Sequence, residues 1–354
     1  MNVLHVVGAR PNFMKVAPVV EALRLRGSFV QTLVHTGQHY DVNMSDVFFQ
    51  QLGIPEPDVN LAVGSGSHAK QTAEIMTRLE PVVEERTPDV VLVYGDVNST
   101  VATALVCAKL GVRVGHVEAG LRSFDRSMPE EINRLVTDQL ADLLFTPSED
   151  EDANLRQEGI ASGKIFRVGN VMIDSLVKLL PAARQKSKKH LPERYALVTL
   201  HRPANVDDGD ALKAILQSLV EVSRELTLIF PAHPRTRKRI SDFGLNAGQL
   251  RVLDPLPYID FLALQSGAQV VITDSGGIQE ETTYLGVPCL TLRENTERPI
   301  TVSMGTNVLV GRDPEKLRRA VANILAGRHK KGTIPPLWDG KASARIADVL
   351  VQQG

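Results

Sequence analysis

Short apolar segments alternate with amphipathic segments along almost the whole chain. The apolar segments are rich in Val, Leu and Ile and show no strict alternation with polar residues, which is typical of parallel strands buried on both faces. The amphipathic segments between them predict helices. The predicted strands are residues 2–7, 29–35, 89–94, 112–117, 143–146, 165–168, 195–200, 226–230, 250–253, 269–273, 287–292 and 307–310. This pattern predicts an α/β protein with doubly wound parallel sheets.

The strand-rich sequence divides into two halves. Residues 181–194 contain two prolines and a basic cluster, and we interpret them as a linker. We therefore expect an N-terminal Rossmann-like domain over residues 1–180 and a C-terminal Rossmann-like domain over residues 195–335. The length of 354 residues also favours two domains over one. Residues 340–354 predict a helix that packs back on the first domain.

Composition excludes several classes of partner. The formal net charge of −1 gives no basic excess, so we expect no nucleic-acid or membrane-surface partner. No apolar run reaches the length of about 18 residues that a membrane span needs. Met1 leads directly into a strand, which predicts a cytoplasmic protein without a signal peptide. Cys107 and Cys289 lie in apolar patterns and predict buried free thiols, and no residue spacing suggests a metal site.

The most informative motif is DSGGIQEE at residues 274–281, directly after a predicted strand. Ser275 supplies a hydroxyl group, and glycines at 276 and 277 let a ligand approach the backbone. The start of the following helix adds free N–H groups and a partial positive charge, which favour a phosphate. Glu280 and Glu281 supply acceptors for sugar hydroxyls. The motif suggests a site for a nucleotide that carries a sugar, with an ordinary glycine-rich turn as the alternative.

Two cations follow the first strand at the start of a predicted helix, Arg10 and Lys15. Positive charges oppose the dipole at a helix N-terminus, so an anion is needed to justify them. We interpret them as phosphate ligands, with solvated surface residues as the alternative.

Three carboxylates come from separate loops that follow predicted strands in the first half: Asp96, Glu118 and Glu131. Ligands of such sheets bind beyond the carboxyl ends of the strands, so these acids are expected to converge. Asp96 has an alternative role as a helix cap, in competition with its neighbours 98 and 99. Glu131 has an alternative role as the surface partner of Arg134, three residues later.

The second half offers further polar residues after its strands. His201 follows its first strand and suits a phosphate or base contact. His233 follows the next strand, and a ligand contact and a structural role are equally expected for it. Glu297 and Arg298 follow a later strand and either clamp a ribose or phosphate or pair with one another.

Several motifs together resemble one family. They are GARPNFMK, TGQHYD, GDVNST, HVEAGLRS, MPEEINR, HRPANVD, DSGGIQEE and TERP, in this order from residue 2 to the C-terminal helix. The chain closely resembles the bacterial non-hydrolysing UDP-N-acetylglucosamine 2-epimerases. The resemblance implies two Rossmann-like domains facing across a cleft, as in the GT-B glycosyltransferases. It also implies a UDP-sugar substrate, no cofactor and a homodimer.

The resemblance places the family's functional residues on this sequence. It implies a catalytic set made up of Asp96, Glu118, Glu131 and His201. It implies UDP contacts at Arg10, His201, Ser275, Gly276, Gly277 and Glu281, with Arg298 near the phosphates and Phe261 near the uracil. The complete predicted substrate-binding set is Arg10, Lys15, Arg134, His233, Phe261, Ser275, Gly276, Gly277, Glu281 and Arg298.

The implied reaction is epimerisation at C2 of UDP-GlcNAc to give UDP-ManNAc. The C2 hydrogen of such a sugar has no neighbouring carbonyl group and is not acidic, so we expect the C1–O bond to UDP to break first. Anti elimination then gives 2-acetamidoglucal and UDP, and syn re-addition inverts C2. Clustered acids in such a site are expected to have separated pKa values.

Alternative readings remain at this point. Residues Gln38-His39-Tyr40 and Leu200-His201-Arg202-Pro203 depart from family stretches linked to activation by a second UDP-GlcNAc. Relatives with this pattern include 2-epimerases of modified UDP-sugars such as diacetamido-uronates. A hydrolysing epimerase, a GT-B glycosyltransferase and a catalytically silent UDP-sugar sensor are the other candidates.

Overall fold

The computed structural model describes residues 1–38, 51–186 and 191–353. The chain forms two compact units. Unit 1 comprises Met1–Lys178 and Pro336–Gly354, and unit 2 comprises Leu179–Pro335.

Each unit is built on a parallel sheet. In the described residues, unit 1 has the strand order β3-β2-β1-β4-β5-β6-β7 and unit 2 has the order β10-β9-β8-β11-β12-β13. Every recorded pairing is parallel. The strands are β1 (Asn2–Val7), β2 (Val30–His35), β3 (Val59–Asn60), β4 (Val90–Tyr94), β5 (Arg113–Val117), β6 (Leu143–Thr146), β7 (Ile165–Arg167), β8 (Tyr195–Thr199), β9 (Thr227–Pro231), β10 (Arg251–Leu253), β11 (Val270–Thr273), β12 (Cys289–Thr291) and β13 (Asn307–Leu309).

Helices connect the strands and cover the sheets, as parallel strands require. The described helices are α1 (Arg10–Arg26), α2 (His68–Arg86), α3 (Asn98–Leu110), α4 (Pro129–Leu140), α5 (Glu149–Gln157), α6 (Val171–Gln185), α7 (Pro203–Val206), α8 (Gly209–Val222), α9 (Pro234–Asp242), α10 (Tyr258–Gly267), α11 (Gly276–Leu285), α12 (Pro299–Ser303), α13 (Pro314–Leu325) and α14 (Ala342–Gln353). A short 3₁₀ turn, Ser162–Lys164, precedes β7.

The hydrophobic pattern predicted the strands well because the central ones are buried on both faces. Residues 90–93 of β4, for example, are completely buried. No apolar segment predicted β3, a two-residue strand at the edge of its sheet. The predicted linker 181–194 begins inside α6, because buried apolar positions continue at Leu179, Leu180 and Ala183 with helical spacing.

Both cysteines are buried free thiols, as their apolar surroundings indicated. In the C-terminal segment, Asp174 accepts hydrogen bonds from the backbone N–H groups of Ala342 and Ser343 at 3.1 and 2.7 Å. These bonds hold the start of α14 within unit 1. Across the described parts of the chain, every helix is too short or too polar to cross a membrane.

Both sheets reverse their strand order at one point, between β1 and β4 in unit 1 and between β8 and β11 in unit 2. Loops diverge there, and such points are where open parallel sheets bind ligands. The loops after β4 and β11 carry Asp96 and Ser275, so the topology places two of the predicted site residues at these two positions.

Candidate active site

The loop after β4 carries Asp96, which does not cap the following helix. Helix α3 begins at Asn98 with Val97 in the cap position, so the expectation of a cap at residue 96, 98 or 99 was wrong. The preceding Gly95 adopts φ +66°, which turns the chain sharply out of the strand. Asn133 of α4 fixes this loop by donating from Nδ2 to the Asp96 carbonyl oxygen at 2.9 Å.

A buried guanidinium connects two of the predicted acids. Arg134 Nη1 lies 2.5 Å from Asp96 Oδ2, and its Nη2 lies 2.6 Å from Glu131 Oε2. The pair three residues apart on α4 is therefore present, as its spacing suggested, but it is buried and shared with a third residue. The fixed fork of an arginine suits this bridging geometry.

The Glu131 carboxylate is saturated with hydrogen bonds. It accepts from the backbone N–H and hydroxyl of Ser123, both at 3.0 Å, and from the backbone N–H of Phe124 at 2.9 Å. Burial alone would raise the pKa of Glu131, but the hydrogen bonds from Ser123 and the adjacent Arg134 hold that pKa below its usual value. Glu131 is thus an ionised carboxylate with little capacity to act as a base.

The third acid, Glu118, follows β5 in a strained conformation. Its φ of +77° lies in the left-handed region that only a few per cent of residues other than glycine adopt. Its buried carboxylate forms an ion pair with Lys15 of α1. A methyl group at Gly95 would lie 2.6 Å from Lys15 Nζ and 3.3 Å from Glu118 Oε2, so this pair packs directly against the residue before Asp96. Strain of this kind is common at functional sites.

Lys15 is therefore placed differently from the sequence-based expectation. The anion beside this cation is a carboxylate of the chain itself, and a contact of Lys15 with phosphate stays a prediction. Lys15 is buried and neutralises Glu118. The side chain of Arg10, which begins the same helix, lies outside what the structure describes, as do residues His39 and Tyr40.

In unit 2, the loops after β8 and β11 are joined by Asp274. This completely buried carboxylate lies 2.9 Å from Nδ1 of His201 and accepts hydrogen bonds from the backbone N–H of Arg202 at 3.0 Å and from Nδ2 of Asn205 at 3.2 Å. Burial opposes ionisation of Asp274, but these donors lower its pKa below the usual value. Since Nδ1 is engaged, the half-exposed His201 ring presents Nε2 on its other side.

The N-terminus of α11 lies directly after Asp274 and Ser275 in the chain. In the described part of the chain, the Ser275 side chain makes no capping hydrogen bond to this helix, which leaves its hydroxyl group available to a ligand. Gly276 has no room for a side chain, because a Cβ atom there would lie 2.3 Å from Arg298 Nη1. Arg298 therefore lies against the first residue of the helix.

Arginines outnumber acids behind this helix start. Among the described side chains, Glu297 contacts Arg202 at 3.0 Å, Arg293 at 2.6 Å and Arg298 at 2.7 Å. Arg298 also lies 2.9 Å from Glu280. Among the described side chains, three guanidinium groups thus face two carboxylates, and we call this set the arginine cluster. The predicted pairing of Glu297 with Arg298 is present, but as part of this larger cluster.

A second carboxylate of α11 is held in a different environment. Glu281 is buried, and Tyr258 donates its hydroxyl hydrogen to Oε1 at 2.7 Å. Burial raises the pKa of Glu281 to about 7. Phe261, one turn after Tyr258 on α10, packs partly buried against the apolar cluster beneath this helix.

His233 takes a structural position. It caps α9, and its Nδ1 accepts the backbone N–H of Arg235 at 3.2 Å, while its ring remains exposed. This geometry assigns its Nδ1 to the helix rather than to a ligand.

Comparison with known proteins decides the family. A family model described as UDP-N-acetylglucosamine 2-epimerase matches residues 21–351. The chain belongs to the UDP-N-acetylglucosamine 2-epimerase family.

Relatives in this family match over nearly their whole length. A UDP-N-acetylglucosamine 2-epimerase homolog of Methanococcus maripaludis is 44% identical, with 99% of each chain covered. A UDP-2,3-diacetamido-2,3-dideoxy-D-glucuronate 2-epimerase of Pseudomonas aeruginosa is 40% identical, with 99% of this chain and 100% of the relative covered. The crystal structure of the Methanocaldococcus jannaschii UDP-GlcNAc 2-epimerase with UDP-GlcNAc and UDP has 42% identity and a TM-score of 0.93, covering 99% of this chain and 100% of that chain.

The structure of this epimerase-family chain adds residues that sequence reasoning did not single out. Asn133 holds the Asp96 loop, Asp274 orients His201, and Tyr258 binds Glu281. Asp274 lies in the motif DSGGIQEE and Asn133 lies in the motif MPEEINR, so membership of these motifs was the signal that the sequence offered. Tyr258 lies on another helix, and its link to Glu281 depends on the folded chain.

The raised pKa of Glu281 gives a pH-dependent stability. The folded protein keeps this proton from the usual value of 4.5 up to about 7, whereas the unfolded chain releases it. The Glu281 contribution to the free energy of unfolding therefore falls as pH rises through this window, by at most about 1.4 kcal/mol per pH unit. We expect Glu281→Gln to become more stable relative to the wild type at pH 8 than at pH 5, as measured by chemical denaturation.

The exposed Glu315 of α13 provides a control, because Glu315→Gln removes a carboxylate at the surface of the same unit. Its stability relative to the wild type should change little between the two pH values. An equal effect of pH on both variants would contradict a raised pKa at Glu281.

Proposed function

We propose that this protein interconverts UDP-GlcNAc and UDP-ManNAc by inverting C2, with the sugar attached to UDP in both substrate and product. The observation that carries the proposal is the group of acids in unit 1, in which Arg134 bridges Asp96 and Glu131 while Glu118 lies beside Gly95. Family membership and the UDP-GlcNAc complex of the M. jannaschii relative support the choice of substrate.

Unit 2 has the chemistry to bind the nucleotide. The helix dipole of α11, the Ser275 hydroxyl and the backbone at Gly276 and Gly277, which carry no Cβ atom, suit a diphosphate. Arg298 and the rest of the arginine cluster add fixed positive charges behind this helix start. His201, oriented by Asp274, supplies a further donor. These groups stabilise the negative charge that UDP gains when it departs.

The reaction proceeds by elimination and re-addition. The C1–O bond breaks, and its electron pair leaves with UDP. A carboxylate removes the C2 proton, and the electrons of the C2–H bond form the C1=C2 double bond of 2-acetamidoglucal. Re-addition of UDP at C1 and of a proton to the opposite face of C2 gives the epimer. Atoms and electrons balance without any redox partner.

The contacts of the three acids suggest different roles. Glu131 is ionised and saturated, so it orients Arg134 and stabilises positive charge on the sugar. Asp96 retains a side chain that is 27% exposed and bonds through only one oxygen to Arg134, which suits a proton acceptor at C2. Glu118 shares its hydrogen bond with Lys15, a group that can supply a proton, and we assign the second proton transfer to this pair.

A second candidate is the same reaction on a diacetamido-uronate. The P. aeruginosa relative that bears this name is 40% identical over the full chain, close to the values of the UDP-GlcNAc relatives. Parallel assays with both UDP-sugars separate the two candidates by the ratio of kcat/KM.

The product distinguishes the proposed reaction from hydrolysis. Incubation with UDP-GlcNAc should give UDP-ManNAc, with the phosphorus signals of an intact UDP-sugar in the NMR spectrum at equilibrium. Stoichiometric release of UDP and free ManNAc would identify a hydrolysing epimerase instead. Conversion of neither UDP-sugar would contradict the proposed function.

Removal of charge at Asp96 should affect turnover rather than binding. For Asp96→Asn we expect kcat to fall by about 100-fold to 10,000-fold with little change in KM, since a proton acceptor acts mainly in the transition state. Steady-state kinetics measure both parameters.

Asp89 is a matched control, because it flanks the amino end of β4 whereas Asp96 follows the carboxyl end. Asp89→Asn should retain wild-type kcat. A similar fall in kcat in the two variants would contradict a specific role of Asp96 in the reaction.

The start of α11 can be tested by adding one methyl group. In Gly276→Ala the new Cβ would meet Arg298 Nη1 at 2.3 Å and Glu297 Oε1 at 2.7 Å, so the arginine cluster must shift. We expect UDP affinity, measured by calorimetry, to fall by about tenfold or more.

Gly209 is the matching control, since it is also the first residue of a helix in unit 2, and a Cβ there makes ordinary contacts with Phe243 at 3.5 Å. Gly209→Ala should bind UDP as the wild type does. Unchanged UDP affinity in Gly276→Ala would contradict the assignment of this helix start to the diphosphate.

A further inference from the structure

The completely buried side chain of His116 contacts two acceptors. It lies near the end of β5, with Nε2 at 2.8 Å from the Gly95 carbonyl oxygen and Nδ1 at 2.6 Å from Asp138 Oδ1. Both distances are those of hydrogen bonds. In the sequence, His116 opens the motif HVEAGLRS, two residues before Glu118.

These contacts fix the protonation state of the ring. A carbonyl oxygen only accepts, so Nε2 must carry a hydrogen atom, and a neutral imidazole then has a bare lone pair at Nδ1. That lone pair would face a carboxylate at 2.6 Å, which is repulsive. His116 must therefore donate from both nitrogens, provided that Asp138 is ionised.

Asp138 has the partners of an ionised carboxylate. Its Oδ2 accepts the backbone N–H of Gly120 at 3.1 Å and lies 2.7 Å from Nη1 of Arg122. Burial would raise the pKa of Asp138, but the charges and hydrogen bonds of His116 and Arg122 hold it below the usual value. Arg122 in turn makes a bidentate pair with Glu158 at 2.7 and 2.6 Å. Cations and anions thus alternate through the network of His116, Asp138, Arg122 and Glu158.

The network holds the loops that carry the candidate acids. Gly95 precedes Asp96, and Gly120 follows Glu118 by two residues. Asp138 lies four and seven residues after Arg134 and Glu131 on α4, so all three project from one buried helix face. His116 is therefore bonded to the backbone segment that carries Asp96, and Asp138 is bonded to the segment that carries Glu118.

We infer that His116 is a positioning residue that donates from both ring nitrogens, and that its buried ion pair with Asp138 sets the distance between Asp96 and Glu118. The inference rests on the proposed function for its effect on turnover. The protonation state itself does not depend on any activity.

The chain contains its own reference group. His5 on β1 is also completely buried, but its partners are the neutral Tyr94 hydroxyl at 2.7 Å and Gln31 Oε1 at 3.0 Å. Burial lowers the pKa of His5 to about 4. His5 and His116 therefore lie in one sheet and are equally buried, but His5 is expected to be neutral and His116 positively charged.

Nitrogen-15 NMR of the histidine-labelled protein tests the charge directly. Between about pH 6 and pH 8 we expect His116 to show two protonated ring nitrogens and His5 to show one. Assignment comes from His116→Gln and His5→Gln spectra. A His116 signal from a neutral ring would overturn the inference, whether or not the protein epimerises UDP-GlcNAc.

Kinetics test the positioning role. For His116→Gln we expect kcat to fall by about 10-fold to 100-fold, while UDP affinity, which depends on unit 2, stays within about twofold. Asp138→Asn keeps the side-chain shape, and it should give the same loss and a neutral His116 signal. It serves also as the second variant if His116→Gln does not fold. Wild-type kcat in a folded Asp138→Asn variant with neutral His116 would overturn the positioning role.

Discussion

The bridge from Arg134 to Asp96 and Glu131 is the interaction on which the candidate site depends. Three carboxylates cannot share a partly dry region without cations, because their mutual repulsion and the loss of water both oppose ionisation. Arg134 neutralises two of them at once, and Lys15 neutralises Glu118. These two cations therefore offset the repulsion among the three carboxylates.

This arrangement follows from the parallel sheets. The strand order reverses once in each sheet, and loops after neighbouring strands diverge there while their first residues remain close. In unit 1 that position holds carboxylates, which suit the proposed removal of a proton from carbon. In unit 2 the equivalent position holds a helix N-terminus backed by arginines, which suits the proposed diphosphate site. One topology therefore presents opposite charge in the two units.

The pattern of apolar segments was enough to predict the fold class and nearly all strands, because buried parallel strands leave a signal that needs no tertiary information. The rule that ligands lie beyond strand ends then selected Asp96, Glu118 and Ser275. This rule missed the side-chain pairs whose two members are far apart in the sequence. Lys15 and Glu118 are 103 residues apart, and only folding reveals that each is the other's counter-ion.

Helix-cap predictions from neighbouring residues also failed where contacts between distant segments took the place of the local hydrogen bonds. Asp96 is not a cap, because Asn133 and Arg134 of another helix bind its carbonyl and carboxylate. Ser148 and Glu151 have the spacing of a capping box at the start of α5. In this described segment the Ser148 hydroxyl instead bonds the Glu151 carboxylate, and the Ser148 side chain makes no capping bond to the helix backbone. The expectation that these three acids form a catalytic set came from the family resemblance, which residue spacing alone did not provide.

In the proposed reaction, acids of unit 1 remove the C2 hydrogen of the sugar and return a hydrogen from a group in exchange with solvent. Turnover of UDP-GlcNAc in deuterated water, followed by mass spectrometry of the UDP-sugars, distinguishes this reaction from one that leaves the C2–H bond intact. We expect each epimerised molecule to carry one deuterium, located at C2. Epimerised product that retains its original hydrogen at C2 would rule the proposed reaction out.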